Sequence, residues 1–277
     1  MTLLMGIVNV TPDSFSDGGR FFDHDAAVAH GLALCRAGAH ILDIGGESTR
    51  PGAERVEPAV EQERILPVVR ALAEAGAVVS VDTMNASTAR AAVDAGARIV
   101  NDVSGGLADP EMLSVVAATG ADIVLGHWRG HSADMYAAAE YADVAGEVVG
   151  ELASRIDAAG AAGIPPARVI VDPGIGFGKR GEQNWAVLRA TERITRLGPR
   201  VLVGTSRKRF LAETLDPSDP ASVDEDRRDL ATAVTTVLAA QAGAWGLRVH
   251  DISASRDALA VRRAWEGESR WAPTRSR

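Results

Sequence analysis

The sequence predicts a closed (β/α)8 TIM barrel, on three observations. Eight short β-branched runs recur along its 277 residues, and alanine-rich helical patterns separate them. Each run stops in, or just before, a residue with a polar head. Strands alternating with helices give a parallel sheet through right-handed crossovers, and eight units can close it within ~250 residues. A doubly wound open sheet is the alternative, but no G-x-G-x-x-G follows the first strand to favour a dinucleotide fold. The barrel takes residues 1–268 as one domain and leaves 269–277 as a frayed, solvated tail.

The first strand, Leu3 to Val10, is apolar up to a lone amide at Asn9 and then releases into the polar loop Thr11 to Gly19. A loop that long, with no helical pattern of its own, points to function. Ala26 to Ala37 follows as a helix stopped by Gly38, where the chain must turn left-handed. Ile41 to Gly45 leads into the glycine-rich loop ending at Gly52, and the helix Val60 to Ala75 stops on Gly76. Val78 to Asp82 pairs with the helix Thr88 to Ala95 before Gly96, and Ile99 to Asp102 with Met112 to Ala118 before Gly120. The strands Asp122 to His127 and Val169 to Asp172 precede the helices Val144 to Ala159 and Trp185 to Leu197. After Val201 to Gly204, Ser206-Arg207-Lys208 opens a helix, and Asp229 to Ala242 comes next. Leu247 to His250 and the helix Arg256 to Trp265 complete the eighth unit.

A hydrophobic fraction of 46% is enough for a sizeable core. The net charge of −8 argues against a nucleic-acid backbone as partner. No apolar stretch approaches the ~20 residues that cross a bilayer, and the chain opens on a strand rather than a signal-like segment. A cytoplasmic protein without a membrane partner is therefore expected. Cys35, the single cysteine, reads as a small core hydrophobe. Of 29 Lys and Arg, only Lys179 and Lys208 are lysines. Where Arg serves as the generic cation, a retained Lys suggests a position that needs a compact ammonium.

The strand-end residues are Asn9, Asp43, Asp82, Asn101, His127, Asp172, Ser206, and Arg248 with His250. In a closed barrel such ends converge on one rim, where separate strands contribute catalytic groups. Asp82, Asn101 and Asp172 suit a flat heterocycle with several N–H donors and one carbonyl; Asp43 reads as a holder of loop amides. Arg50, Lys208 and Arg248 are cations at strand ends or adjoining loops, fitted to phosphate or carboxylate. A hard cation such as Mg²⁺ is expected if that anion is a pyrophosphate. Rival motifs are weaker. His127 and His131 lack an H-E-x-x-H helix between them. Arg180 after Lys179 breaks the phosphate-loop pattern of Gly174 to Lys179, and no G-x-S-x-G is present.

Seven segments carry a resemblance: Gly6 to Gly19, Asp43 to Gly52 (DIGGESTRPG), Ser80 to Thr83, Asn101 to Gly106, Asp172 to Lys179 (DPGIGFGK), Ser206 to Lys208, and Arg248 to Asp251. In order along nearly the whole chain, they resemble the dihydropteroate synthases, the folate-pathway targets of sulfonamides. Lys208-Arg209-Phe210 and the Ala/Arg bias are similar to the actinobacterial branch. The resemblance implies a (β/α)8 fold. It also implies a reaction joining 4-aminobenzoate to (7,8-dihydropterin-6-yl)methyl diphosphate, giving 7,8-dihydropteroate and pyrophosphate. Asp82, Asn101, Asp172 and Lys208 would hold the pterin, with Arg248 on its face. Asn9, Arg50, Arg248 and His250 would hold the diphosphate, Asn9 also ligating Mg²⁺. Phe15, Thr49, Arg50, Pro51 and Ser206 would receive the 4-aminobenzoate. Asp82, Lys208, Arg248 and Asn9 would stand nearest the chemistry, and a homodimer through late helices is implied.

The chain departs from the family pattern at Arg180, Gln183 and Gly126, the last where many members carry Met. Two other readings share the pterin logic. A methyltransferase barrel has no use for a diphosphate grip, and an inactive paralogue would be expected to lose the loop and anion residues that this chain keeps.

Overall fold

The computed structural model describes residues 1–11, 24–47, 55–130 and 140–268. Its strands are β1 (Leu3–Asn9), β2 (Ile41–Gly45), β3 (Val79–Asp82), β4 (Ile99–Asp102), β5 (Asp122–Gly126), β6 (Val169–Asp172), β7 (Arg200–Val203) and β8 (Gly246–Val249). All neighbours pair in parallel, and β8 pairs back onto β1, so the sheet closes in chain order. The predicted eight-stranded barrel is what forms.

The early helices are α1 (His24–Ala37), α2 (Pro58–Glu74), α3 (Ala86–Asp94), α4 (Met112–Thr119) and α5 (Val144–Ala161). Then come α6 (Glu182–Arg189), α7 (Thr191–Thr195), α8 (Arg209–Leu215), α9 (Glu225–Gln241) and α10 (Ile252–Trp265). The helix predicted over Trp185 to Leu197 is thus two. The chain breaks at Ala190, where the Thr191 hydroxyl donates to the Leu188 carbonyl at 2.7 Å and takes that acceptor out of the helical ladder. The helix predicted to open at Ser206 begins at Arg209, with Lys208 as its N-cap. The four glycine stops hold: Gly38, Gly76, Gly96 and Gly120 all have positive φ.

Alternation along each strand divides the core in two. Outward residues such as Leu4, Val8, Leu42, Ile44, Val79, Val81 and Val100 pack against the helices. Inward, Met5, Ile41, Ile99, Val124, Ile170 and Leu202 form a separate cluster that plugs the barrel. Full burial of side chains this size stabilises by about 1.5–3 kcal/mol each. Two to four residues further along the strands, the inward positions change character, to Asp43, Asn9, Asp82, Asn101, Asp172 and Arg248. The apolar plug is therefore the floor of a polar mouth at the C-terminal ends of the strands.

Candidate active site

Register sets the first four ends level. Asn9 pairs with Gly45, Gly45 with Asp82, and Asp82 with Asn101. Gly45 matters by what it lacks: a Cβ there would sit 3.5 Å from that of Asp82, so the Asp82 carboxylate has the inner wall to itself. On β8, the other neighbour of β1, Arg248 pairs with Met5, deep in the first strand, and its side chain rises into the mouth.

Arg248 is the hub. Its Nε donates to Asp43 Oδ2 at 2.6 Å and its Nη2 to Asp82 Oδ2 at 2.8 Å; Nη1 takes part in neither contact. Asn101 Nδ2 donates to the same Asp43 oxygen at 2.9 Å. Asp43 was expected to hold loop amides, and that expectation fails. Its side chain points inward and binds two other strand ends, because its position in β2 shares the inner face with Gly45. Burial pushes the Asp82 carboxyl up to about 7, with Arg248 pulling against that rise and Asp43 adding to it.

A second couple sits beside the first. Asp172 Oδ1 accepts from the Gly174 N–H at 2.7 Å. Lys208 Nζ donates to the Ile175 carbonyl and lies 4.7 Å from the Phe177 ring centre. Both flank Gly204, where an added Cβ would lie within 4.0 Å of Lys208 Nζ, Asp172 Oδ2 and Arg248 Cβ. Burial raises the Asp172 carboxyl, opposed by Lys208 and the Gly174 amide. Burial also lowers the Lys208 ammonium to about 8. Ser206 and His250 form the remaining edge, with the Ser206 Oγ 2.9 Å from His250 Nδ1 and accepting from the His250 N–H at 3.0 Å.

Between Ser206 and Lys208, Arg207 holds φ +57, the one non-glycine residue with positive φ among the described residues. Asp229 fixes it through two bonds of 2.8 and 2.7 Å, and Glu225 through a third. The left-handed turn and the start of α8 are thereby tied to α9.

The structure thus brings together Asn9, Asp82, Asn101, Asp172, Ser206, Lys208, Arg248 and His250 in one mouth, with Asp43 added. Phe15, Thr49, Arg50 and Pro51 lie outside the described residues. So does His131. His127 does not join the rim: one residue past inward-facing Gly126, it turns toward α5, with Nε2 2.9 Å from Glu151 Oε2. Gly126 itself is filled by a neighbour. A Cβ there would stand 2.4 Å from the Val103 carbonyl oxygen, so the loop after β4 occupies the space a side chain would take. Asp102 was missed as an organiser of that loop. It faces outward and accepts from the amides of Ser104 at 2.8 Å and Gly106 at 2.7 Å.

Comparison with known proteins agrees with this geometry. Residues 5–250 match the family described as "Pterin binding enzyme". Dihydropteroate synthase of Mycobacterium leprae is 54% identical over 263 residues, 95% of this chain and 93% of that one. Xanthomonas albilineans dihydropteroate synthase with 4-aminobenzoic acid superposes with a TM-score of 0.88 at 45% identity, covering 96% of this chain and 93% of that one. The Yersinia pestis enzyme in complex with a sulfonamide drug gives 0.88 at 36% identity, covering 96% and 94%. Fold, mouth and near full-length likeness coincide, and the chain belongs to the dihydropteroate synthase family of pterin-binding enzymes, transferases of folate biosynthesis.

Proposed function

We propose that this mouth joins 4-aminobenzoate to (7,8-dihydropterin-6-yl)methyl diphosphate by an SN1-like route. The observation that carries the reading is the Asp43–Arg248–Asp82 network with Asp172 and Lys208 beside it, both flanking Gly204, in one mouth. Asp82, Asn101 and Asp172 supply acceptors and an amide to the N–H and amino groups of the pterin. Lys208 supplies a compact donor, and Arg248 a planar face. Asn9, Arg50, Arg248 and His250 hold the diphosphate.

Asn9 offers a hard amide oxygen at the end of β1. That donor fits Mg²⁺, which takes few protein ligands and shares itself with substrate phosphates. Among the described residues no cluster of three His, Cys, Asp or Glu offers a competing metal site. When bound, Mg²⁺ supplies charge neutralisation on the diphosphate oxygens.

The C–O bond breaks first, and its electron pair leaves with pyrophosphate. The pterin ring spreads the positive charge, and the Asp82 carboxylate stabilises it from a fixed position. The aniline nitrogen then attacks the methylene carbon and releases its proton to water or pyrophosphate. An aniline is a poor nucleophile, so a preformed cation suits it better than direct displacement. Ser206 receives the aminobenzoate carboxylate, and Phe15, Thr49, Arg50 and Pro51 are the other residues assigned to that substrate. The 4-aminobenzoic acid in the Xanthomonas enzyme and the sulfonamide in the Yersinia enzyme support this slot, with sulfonamides as competing inhibitors.

The working form is a homodimer without nucleic-acid or membrane partners, acting in the cytoplasm. Leu230, Val234 and Leu238 stand four residues apart on α9 and are 66%, 54% and 48% exposed; Val261 and Trp265 extend the apolar surface on neighbouring α10. No helix among the described residues is long and apolar enough to cross a membrane.

Isotope-labelled 4-aminobenzoate, incubated with the pterin diphosphate and Mg²⁺, tests the reading. Label entering pteroate supports it. Methyl transfer from a methylated folate, or pterin binding without turnover, overturns it.

A further inference from the structure

Lys179, one of the chain's two lysines, takes no part in the chemistry above, yet its side chain is among the largest fully buried ones. Its ammonium is 2.8 Å from the Gly174 carbonyl, 2.9 Å from the Phe177 carbonyl and 2.9 Å from His127 Nδ1. Three acceptors match the three N–H bonds of an ammonium. With Nδ1 as acceptor His127 carries its proton on Nε2, which lies 2.9 Å from Glu151 Oε2 but is not aligned for a hydrogen bond, and Arg129 pairs with Glu151 and Glu147. Burial lowers the Lys179 ammonium to about 7, with Lys208 and Arg129 acting the same way and Asp172 and Glu151 opposing. Burial opposes the charge of the ammonium, and its contacts with the two carbonyls and His127 favour it.

The β6 loop is wound around that charge. Gly174, Gly176 and Gly178 all have positive φ, and the turns they allow bring the Gly174 and Phe177 carbonyls inward. Asn184 on α6 closes the ring, accepting from the Gly176 N–H at 2.6 Å and donating to the Lys179 carbonyl at 3.2 Å. The outer edge of the same loop meets the mouth. There Ile175 offers its carbonyl to Lys208, Phe177 places its ring beside the Lys208 ammonium, and the Gly174 N–H reaches Asp172.

We propose that Lys179, supported by His127 and Glu151, is a positioning residue that clamps the β6 loop from behind so that Asp172 and Lys208 present a preformed pterin pocket. The inference rests on the placement of the pterin at those two residues proposed above. A planar guanidinium cannot aim three bonds at these acceptors, which gives a physical reason for Lys here in an Arg-rich chain. The clamp lies on the pterin side of the mouth, while Ser206 and His250 lie beyond Lys208. Its loss should therefore separate the two substrates.

The test is steady-state kinetics of the full-length enzyme as Lys179→Met and as His127→Phe, which keeps a ring in place but removes the acceptor. Each should raise the KM for the pterin diphosphate ~10-fold, with the KM for 4-aminobenzoate unchanged and kcat within about threefold. Lys179→Arg should behave like Lys179→Met. Lys208→Ala serves as the reference for the pocket. If it loses pterin affinity while Lys179→Met and His127→Phe keep it, the clamp alone is overturned. If Lys208→Ala keeps pterin affinity, the pterin placement falls, and the clamp with it. A parallel loss of affinity for both substrates would assign Lys179 to general stability and overturn the positioning role.

Discussion

Asp43 and Arg248 are 205 residues apart in the chain and 2.6 Å apart in the barrel mouth. Asp43 is wholly buried, and its contact fixes the guanidinium that also reaches Asp82. Any part Asp43 plays in the proposed chemistry thus runs through Arg248. A buried pair of this kind sets position more surely than it adds stability, while removing one partner leaves an uncompensated charge.

Asp43→Asn should keep the shape of the site but leave Arg248 to Asp82 alone, lowering kcat/KM by ~10²-fold. Asp43→Ala should also cost about 3–5 kcal/mol in urea unfolding, the range for breaking a buried pair. Wild-type kinetics in Asp43→Asn would show that Arg248 needs no second carboxylate.

Asp82→Asn should cut kcat by ~10²-fold or more while leaving pterin binding nearly intact. The acting form is the carboxylate, and burial raises its pKa to about 7. In wild type kcat/KM should therefore climb as pH rises through about 7 and level off above it. Stability runs the other way. The folded chain keeps a proton that the unfolded chain loses near 3.8, so this contribution is complete below that value and fades as pH rises toward about 7. Asp82→Asn should flatten both profiles, as read by rates and by urea melts across pH 4–8. An unchanged slope would remove Asp82 from either account.

Gly176 has φ +82, and a Cβ there would stand 2.8 Å from Lys208 Cδ. Gly176→Ala should cost about 1–2 kcal/mol for the left-handed backbone and displace Lys208 as well. The expected outcome is a ~10-fold higher KM for the pterin diphosphate. Lys208→Arg should not be conservative either, since a planar fork replaces a point charge against the Ile175 carbonyl. Normal pterin kinetics in both would place the ring elsewhere.

Leu230→Glu combined with Val234→Glu adds two charges to the exposed stripe of α9. Sedimentation should then show a monomer, against the dimer proposed for the wild type. A dimer that survives both substitutions would move the interface to another face.

Much of the site was legible because strand chemistry is local. Asn9, Asp82, Asn101, Asp172 and Arg248 each end an apolar run, and parallel closure must gather such ends. Side-chain parity was harder to read. His127 sits one residue beyond Gly126, and in a strand one residue changes the face, so a rim residue by position became a loop support by orientation. Lys179 is rare for its type in this Arg-rich chain, but its sequence neighbours resemble a phosphate loop. Only the three carbonyl and imidazole partners show an ammonium enclosed by its own chain.

The sequence by itself determined the eight strand–helix units, the polar ends and the family, because hydrophobic period, glycine stops and contiguous motifs are properties of short segments. The tertiary structure alone decided which polar ends face each other. It drew Asp43 into the mouth, turned His127 and Lys179 behind it, and filled the space at Gly126 with the Val103 backbone. The reason is barrel closure with stagger. Register offsets between adjacent strands accumulate around the ring until Arg248, level with Met5 on one side, reaches Asp82 across the mouth.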